Sequence, residues 1–480
     1  MTVVGPLDAM FLLGESREQP MHVGGLMLFE LPEGAGRDDV FPERSRDYVS
    51  RLYQEMVAAQ SVHPLFARRV RNRARELGYW SWEQDDEIDL EYHVRLSALP
   101  RPGRYRELFE LTSRLHGTLL DRRRPLWEMH LIEGVEGRRF ALYSKIHHSM
   151  IDGVTALRWM QDTLTTDPNR TSMPATYALP SDGGGGTGSD GGPPSAAQLF
   201  AAVGRAPGRT LAGAAQVAGG AGRVLADLAG LTPVVVRSLV QSTAPFQAPR
   251  TMFNRPITGA RRFAAQSWPI ERLEKVRAIT GATLNDVLLA MCSGALRNYL
   301  LELNALPDMA LTAMVPVSLR GTSDAPGGGN SLSTLITDLA TDEADPELRI
   351  RRIMASTSYG KGVLSGLTPL QNLIIGALGF GVAGPAAVVP GVAGRTTPPY
   401  NVVISNVPGP AESPLYWNRS RLLGMYPASI VLNGQALNIS VTSYDQHLHF
   451  GLIGCRRTVP HLQRLLVHLE TSLTDLENLH

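Results

Sequence analysis

The stretch His147-His148-Ser149-Met150-Ile151-Asp152-Gly153, HHSMIDG, decides how the chain folds. Upstream, Arg139 to Ile146 places apolar residues at 140, 142 and 146, a pattern that predicts a strand. Downstream, Val154 to Leu164 has apolar residues at 154, 157, 160 and 164, the spacing of one helical face. The septet is therefore a loop between strand and helix, where a rigid scaffold holds reactive side chains. Asp152-Gly153 suits the turn: Gly tolerates dihedrals that other residues avoid, and Asp can cap the new helix. Two adjacent imidazoles with a carboxylate four positions on can do general-base chemistry, because His titrates near neutral pH. In the bland alternative Asp152 only caps the helix and the histidines are ordinary polar loop residues.

Working outward, the 480 residues suggest two or three domain-sized units with ample material for a large core. Lys plus Arg number 46 against 45 Asp plus Glu, a near balance that gives no case for a nucleic-acid partner. Cys292 and Cys455 lie far apart and form no metal or redox motif, so no metal or cofactor is expected and a reducing cytosol is compatible. The start, Met1 to Pro6, lacks a basic segment followed by an apolar run, which predicts a protein kept inside the cell.

Met21 to Phe29 reads as a strand containing His22, for which composition favours a satisfied sheet residue over a catalyst. Five arginines fall between Arg68 and Arg75; a solvated helix face outweighs a patch for phosphate or anionic lipid. The alternation from Trp127 to Leu131 predicts a strand that pairs with the one ending at Ile146, with Gly134 to Gly137 turning between them. Thr283 and Asp286 form a plausible capping pair for a helix whose apolar face includes Leu284, Val287, Leu288 and Met291. Asn285 then sits in the first turn, where backbone N–H groups favour negative charge and could stabilise an oxyanion. The alternative is that Asn285 and Asp286 only cap and brace that helix.

The HHxxxDG pattern between strand and helix resembles the signature of the chloramphenicol acetyltransferase-like acyltransferases. Further motifs narrow the resemblance to the bacterial wax ester synthase/acyl-CoA:diacylglycerol acyltransferase family. They are Pro6-Leu7-Asp8, Met21-His22-Val23-Gly24, Pro125-Leu126-Trp127, Thr283-Leu284-Asn285-Asp286, and Met314 to Arg320 with Gly329-Asn330. Ser405-Asn406-Val407-Pro408-Gly409-Pro410 and Ser443-Tyr444 complete the set, which spans almost the whole chain except the central linker.

The resemblance implies an α/β chain of two related lobes with mixed sheets flanked by helices, and an active-site tunnel between the lobes. It implies transfer of a long acyl chain from acyl-CoA, a co-substrate, to diacylglycerol, with triacylglycerol as product. A fatty alcohol acceptor keeps the fold and changes the substrate; a non-catalytic lipid-binding or droplet-coating protein is the reading from another class. His148 is the expected base, standing four before Asp152, with His147 as its support. By the superfamily pattern Asp152 turns inward to a structural ion pair. Asn285 is expected to position substrate or stabilise the oxyanion, and Trp127, Gly153 and Asp286 to contact substrate.

Asp182 to Pro194 is almost wholly Gly, Ser, Asp, Thr and Pro, a flexible connector. It divides the chain into an N-terminal lobe (1–180), a linker with apolar helices (181–250) and a C-terminal lobe (251–480). Residues 196–240 are expected to form helices, on the core or on a membrane. No charge occurs from Gly362 to Gly394, a run longer than a membrane span, but repeated Gly, Pro385 and Pro390 argue against a straight spanning helix. A buried or interfacial segment is expected there. Together with the insoluble substrates, it places the protein on the inner face of the membrane or on lipid droplets.

Overall fold

The computed structural model describes residues 2–4, 6–35, 43–72, 80–151, 153–179, 248–318, 332–365 and 398–479. The first half of the chain contributes β1 (Thr2–Val3), α1 (Pro6–Gly14), β2 (His22–Glu30), α2 (Glu43–Val57), β3 (Arg68–Asn72) and β4 (Trp80–Gln84). It continues through α3 (Leu90–His93), β5 (Val94–Ala98), α4 (Tyr105–His116), β6 (Trp127–Val135), β7 (Arg139–His147) and α5 (Gly153–Gln161). The second half contributes β8 (Arg261–Pro269), α6 (Ile270–Thr280), α7 (Leu284–Glu302), β9 (Thr312–Ser318), β10 (Leu332–Asp338) and α8 (Pro346–Ser365). It ends with β11 (Val402–Val407), β12 (Tyr416–Trp417), β13 (Ser420–Ala428), β14 (Leu437–Tyr444), β15 (His447–Cys455) and α9 (Arg464–Glu477).

The strand, loop and helix around HHSMIDG form as the periodicity predicts, and β6 and β7 make the expected antiparallel hairpin. Gly134 and Gly137, which turn this hairpin, both have positive φ (79° and 75°), where a side chain would be strained. The described part of the arginine-rich run, Arg68 to Asn72, does not form a helix. Arg68 to Asn72 is a strand paired with β4, and cross-strand Arg71 and Arg69 reach Glu83. The pairing of alternate basic residues with one acidic neighbour is a sheet device that helical spacing arguments do not anticipate.

Two six-stranded sheets organise the molecule, in the orders β12-β13-β2-β7-β6-β5 and β10-β9-β11-β14-β15-β8; β1, β4 and β3 form a small third sheet. Both large sheets are mixed: β5 runs parallel to β6, and β11 runs parallel to β14 and β9, while their other neighbours are antiparallel. The first sheet is not built from the first half alone. Strand β13 pairs with β2 along Ala428↔Gly24 to Leu422↔Phe29, so a C-terminal segment completes the N-terminal lobe.

Alternation along β7 divides the cores. Phe140, Leu142 and Ile146 face Leu52, Met56, Phe66 and Trp159 in one cluster, whereas Ala141 and Tyr143 join Leu26, Leu28, Phe263 and Trp268 in another. This second cluster spans both lobes. The lobes meet where Gly451 of β15 lies so close to Pro427 of β13 that a Cβ would fall 1.8 Å from the Pro427 carbonyl oxygen. Helix α4 bridges the same junction, with Ser113 Oγ accepting the Phe263 N–H of edge strand β8 at 2.8 Å.

Candidate active site

The last residue of β7, His147, is fully buried, and the next, His148, is half-buried in the turn that follows. The turn is held by its backbone: His148 N–H donates to Met21 O at 2.9 Å, and Met150 N–H to His147 O at 2.9 Å. The Ser149 N–H donates to His147 Nδ1 at 3.1 Å, which makes Nδ1 the lone-pair nitrogen and leaves the ring proton on Nε2. That Nε2 lies 3.3 Å from Glu15 Oε1, whose side chain is 3 % exposed. Arg122 donates from Nε to Glu15 Oε2 at 3.0 Å and from Nη2 to Leu12 O at 2.5 Å. Burial pushes the Glu15 carboxyl up, but His147 and Arg122 outweigh it and hold the group below the usual range. The half-buried partner of the pair, His148, stacks on Phe11 of α1 with ring centroids 4.1 Å apart and planes 19° apart.

A polar stripe continues from His147 along the face of the sheet that α4 covers. His22 lies opposite His147 in register and donates from Nε2 to His116 O at 2.7 Å. His116 in turn donates from Nε2 to Ser429 O at 3.1 Å and accepts from Tyr143 Oη at 2.8 Å. Burial lowers His116 to about 3 and His22 well below its ordinary value, so both rings are neutral near pH 7. Lys145, fully buried, donates to the carbonyls of Leu115 and Thr118 at the end of α4 and pairs with Glu128 at 3.1 Å. Burial raises the Glu128 carboxyl, but His130 and Lys145 reverse this and hold it down to about 2.

The other expected site residues divide. Asp152 lies outside the described residues. Gly153 opens α5 and is exposed, with no atom within 4 Å of where a Cβ would stand. Trp127 is fully buried, stacked between His93 (4.4 Å) and Tyr177 (4.9 Å), and its Nε1 donates to Phe66 O at 2.7 Å. It therefore shapes the N-terminal core beneath the motif. Thr283 and Asp286 form the expected capping box of α7: Asp286 N–H donates to Thr283 Oγ1 at 3.2 Å, and Thr283 N–H to Asp286 Oδ2 at 3.0 Å. The remaining oxygen, Oδ1, accepts from Thr357 of α8 at 2.7 Å, so both carboxylate oxygens are engaged within the protein. Asn285 is half-buried in that first turn, and no hydrogen bond joins it to the described part of the motif.

Sequence reasoning missed Phe11, Glu15 and Arg122. The only local signal was the i, i+4 spacing of Phe11 and Glu15 at the end of a helix, which places them on one face. Two concave regions, about 310 Å³ beside Ser97, Glu107 and Arg114 and about 430 Å³ beside Tyr48, Arg51 and Arg419, are lined by other residues, so neither is the expected tunnel. Among the described residues no group of three His, Cys, Asp or Glu side chains could hold a metal ion.

The model of the wax ester synthase/diacylglycerol acyltransferase catalytic domain matches residues 4–288, and that of the family's C-terminal domain matches 328–477. The chain belongs to the wax ester synthase/diacylglycerol acyltransferase family. A probable diacylglycerol O-acyltransferase of Mycobacterium tuberculosis is 48 % identical over 99 % of both chains. A second Mycobacterium tuberculosis relative, also named for diacylglycerol O-acyl transfer, is 41 % identical and covers 97 % of this chain and 89 % of its own. The solved wax ester synthase/diacylglycerol acyltransferase of Marinobacter aquaeolei is 39 % identical, covers 99 % of each chain and superposes with a TM-score of 0.76. The first condensation domain of the calcium-dependent antibiotic synthetase shares the fold at 16 % identity, with a TM-score of 0.56 over 99 % of this chain and 96 % of its own. The chain is thus an acyltransferase of the two-lobed α/β kind, and HHSMIDG sits where this family's catalytic domain is matched.

Proposed function

We propose that this acyltransferase moves a long acyl chain from acyl-CoA to the free hydroxyl of diacylglycerol, giving triacylglycerol and free CoA. The observation that carries the mechanism is the pairing of a half-exposed His148 with a buried His147 on a turn pinned by backbone hydrogen bonds. His148 takes the proton of the acceptor hydroxyl, the alkoxide oxygen attacks the thioester carbonyl, and the tetrahedral intermediate expels the CoA thiolate. The proton on His148 then passes to the departing sulfur, so the base is regenerated. The open space before Gly153, beside the motif, leaves room for a substrate to approach. No acyl-enzyme is required. Cys292 and Cys455 are both fully buried, and burial pushes the Cys292 thiol far up, away from thiolate chemistry.

The donor and acceptor need no further cofactor in this scheme. Because the diacylglycerol acceptor and the triacylglycerol product are water-insoluble, we place the working enzyme on the inner face of the membrane or on lipid droplets. The uncharged run from Gly362 supports that placement, and no single described helix is long and apolar enough to cross a membrane. The Marinobacter relative is named for wax ester synthesis as well, which favours a fatty alcohol as the second acceptor to test. Purified protein incubated with one labelled acyl-CoA and a panel of acceptors, with CoA release followed as free thiol, decides the matter. Labelled triacylglycerol as the main product supports the proposal; wax ester alone, or no thiol release with any acceptor, refutes it.

A further inference from the structure

We infer that α1 and the residue leaving it clamp the two histidines of the motif through Phe11 and Glu15, and that this clamp sets the attitude of His148 during acyl transfer. The inference rests on the reading of His148 as base. It concerns residues that neither touch the reacting atoms nor belong to HHSMIDG.

Two contacts define the clamp. Phe11 lies flat on the His148 imidazole, 4.1 Å between centroids, and so restricts rotation about the bond that aims its basic nitrogen. Glu15, four residues on, sets its Oε1 3.3 Å from His147 Nε2, the nitrogen left with the ring proton because the Ser149 N–H bonds to Nδ1. His147 makes two of the backbone bonds that anchor the turn, accepting Met150 N–H on its carbonyl and donating its own N–H to Leu126 O at 2.9 Å. Fixing its ring therefore fixes the backbone from which His148 projects.

The clamp is itself held. Arg122 neutralises the Glu15 carboxylate and ties the end of α1 through Leu12 O, while Met21 N–H donates to Glu15 Oε1 at 3.3 Å. The following residues reach the second lobe: Glu18 O accepts from Arg261 Nη2 at 2.7 Å, and Gln19 Oε1 accepts from Asn433 N–H at 2.8 Å. A solvent-facing helix end with no task would not need a carboxylate with a side chain only 3 % exposed, aimed at a fully buried imidazole.

The test uses the full-length chain carrying Phe11→Ala, Phe11→Tyr or Glu15→Gln, with two readouts. The first is steady-state acyl transfer, with amounts corrected to folded protein by the melting curve. Phe11→Ala and Glu15→Gln are expected to lower kcat by about tenfold or more with KM for acyl-CoA within about twofold, because misaiming a base costs rate rather than binding. Phe11→Tyr, which keeps the stack, is expected to restore most of kcat. The second readout does not depend on turnover: carbethoxylation of His148 by diethyl pyrocarbonate, followed by tandem mass spectrometry. Phe11→Ala uncovers one face of the ring, so modification of His148 is expected to quicken several-fold. A lower melting temperature with kcat per folded molecule unchanged means a purely structural role and overturns the clamp. An unchanged carbethoxylation rate in Phe11→Ala overturns it as well. If the wild-type chain transfers no acyl group but Phe11→Ala still accelerates modification, the functional reading fails while the clamp on His148 stands.

Discussion

At the scale of single residues, burial sorts the histidines into roles. His22, His116 and His147 are 1 %, 2 % and 0 % exposed, whereas His148 reaches solvent, and only a reachable imidazole can take a substrate proton. His148→Ala is therefore expected to lower kcat by about 100- to 10,000-fold while the melting curve stays in place. A variant retaining more than about a tenth of the wild-type rate would exclude a base of that strength. Lys145 belongs to stability instead. Its ammonium pairs with buried Glu128 at 3.1 Å, where Arg95 reaches the other carboxylate oxygen at 3.7 Å, and it also satisfies two carbonyls at the end of α4. Lys145→Met removes the nearer of the two cations on the Glu128 carboxylate and is expected to cost about 1–3 kcal/mol, measured by chemical denaturation. A loss below about 1 kcal/mol would show that Arg95 and His130 together satisfy Glu128.

At the scale of elements, α7 shows how a short local signal becomes a brace between elements. Thr283 and Asp286 cap each other as their spacing predicts, yet the Oδ1 of Asp286 also reaches Thr357 on α8. Thr283→Ala removes one capping bond and is expected to cost about 1 kcal/mol. Asp286→Ala should cost clearly more, about 2–3 kcal/mol, because it frees a buried Thr357 hydroxyl as well as the cap. Equal losses in the two variants, compared by urea midpoint at constant slope, would mean that the α8 contact contributes nothing. Acyl transfer per folded molecule in Asp286→Asn then separates bracing from substrate contact: an unchanged KM leaves Asp286 as a brace. Helix α1 makes the complementary point: the work of Phe11, and of Glu15 just beyond its end, is visible only against the two histidines at the end of β7.

At the scale of the whole molecule, the lobes are joined by polar groups that must remain neutral or paired. Burial lowers His116 to about 3 and His449 to about 4, against 6.5 when the chain is unfolded. Below pH 6.5 the unfolded chain therefore binds protons that the folded chain refuses, and stability falls with pH. Each such ring costs about 1.4 kcal/mol per pH unit until its folded value is reached. Glu128, held down to about 2, adds a loss of the same sign below about 4.5, where the unfolded carboxyl begins to take up protons. The melting temperature is expected to be level from pH 8 to 7 on this account and to drop steeply between pH 6 and 4. A flat profile between 7 and 5 would show that His116 and His449 are charged in the fold.

Much of this architecture was legible from order and period. The strand–loop–helix at 139–161, the hairpin through 134–137 and the α7 cap all depend on neighbours within a few residues, where φ/ψ limits and spacing dictate the outcome. The motif residues and the family followed from the same local patterns. Tertiary structure alone decided what lies against them. Arg122 meets Glu15 across 107 positions, β13 enters the first sheet from beyond residue 400, and Asp286 finds Thr357 across 71. Nor could composition tell that Arg68 to Asn72 is a strand, because its pairing with Glu83 exists only once β4 is beside it. A sequence determines periodic preference and chemical endowment by itself; which buried charge meets which partner is decided when distant segments exclude water together, and the cost of an unpaired charge then selects the arrangement.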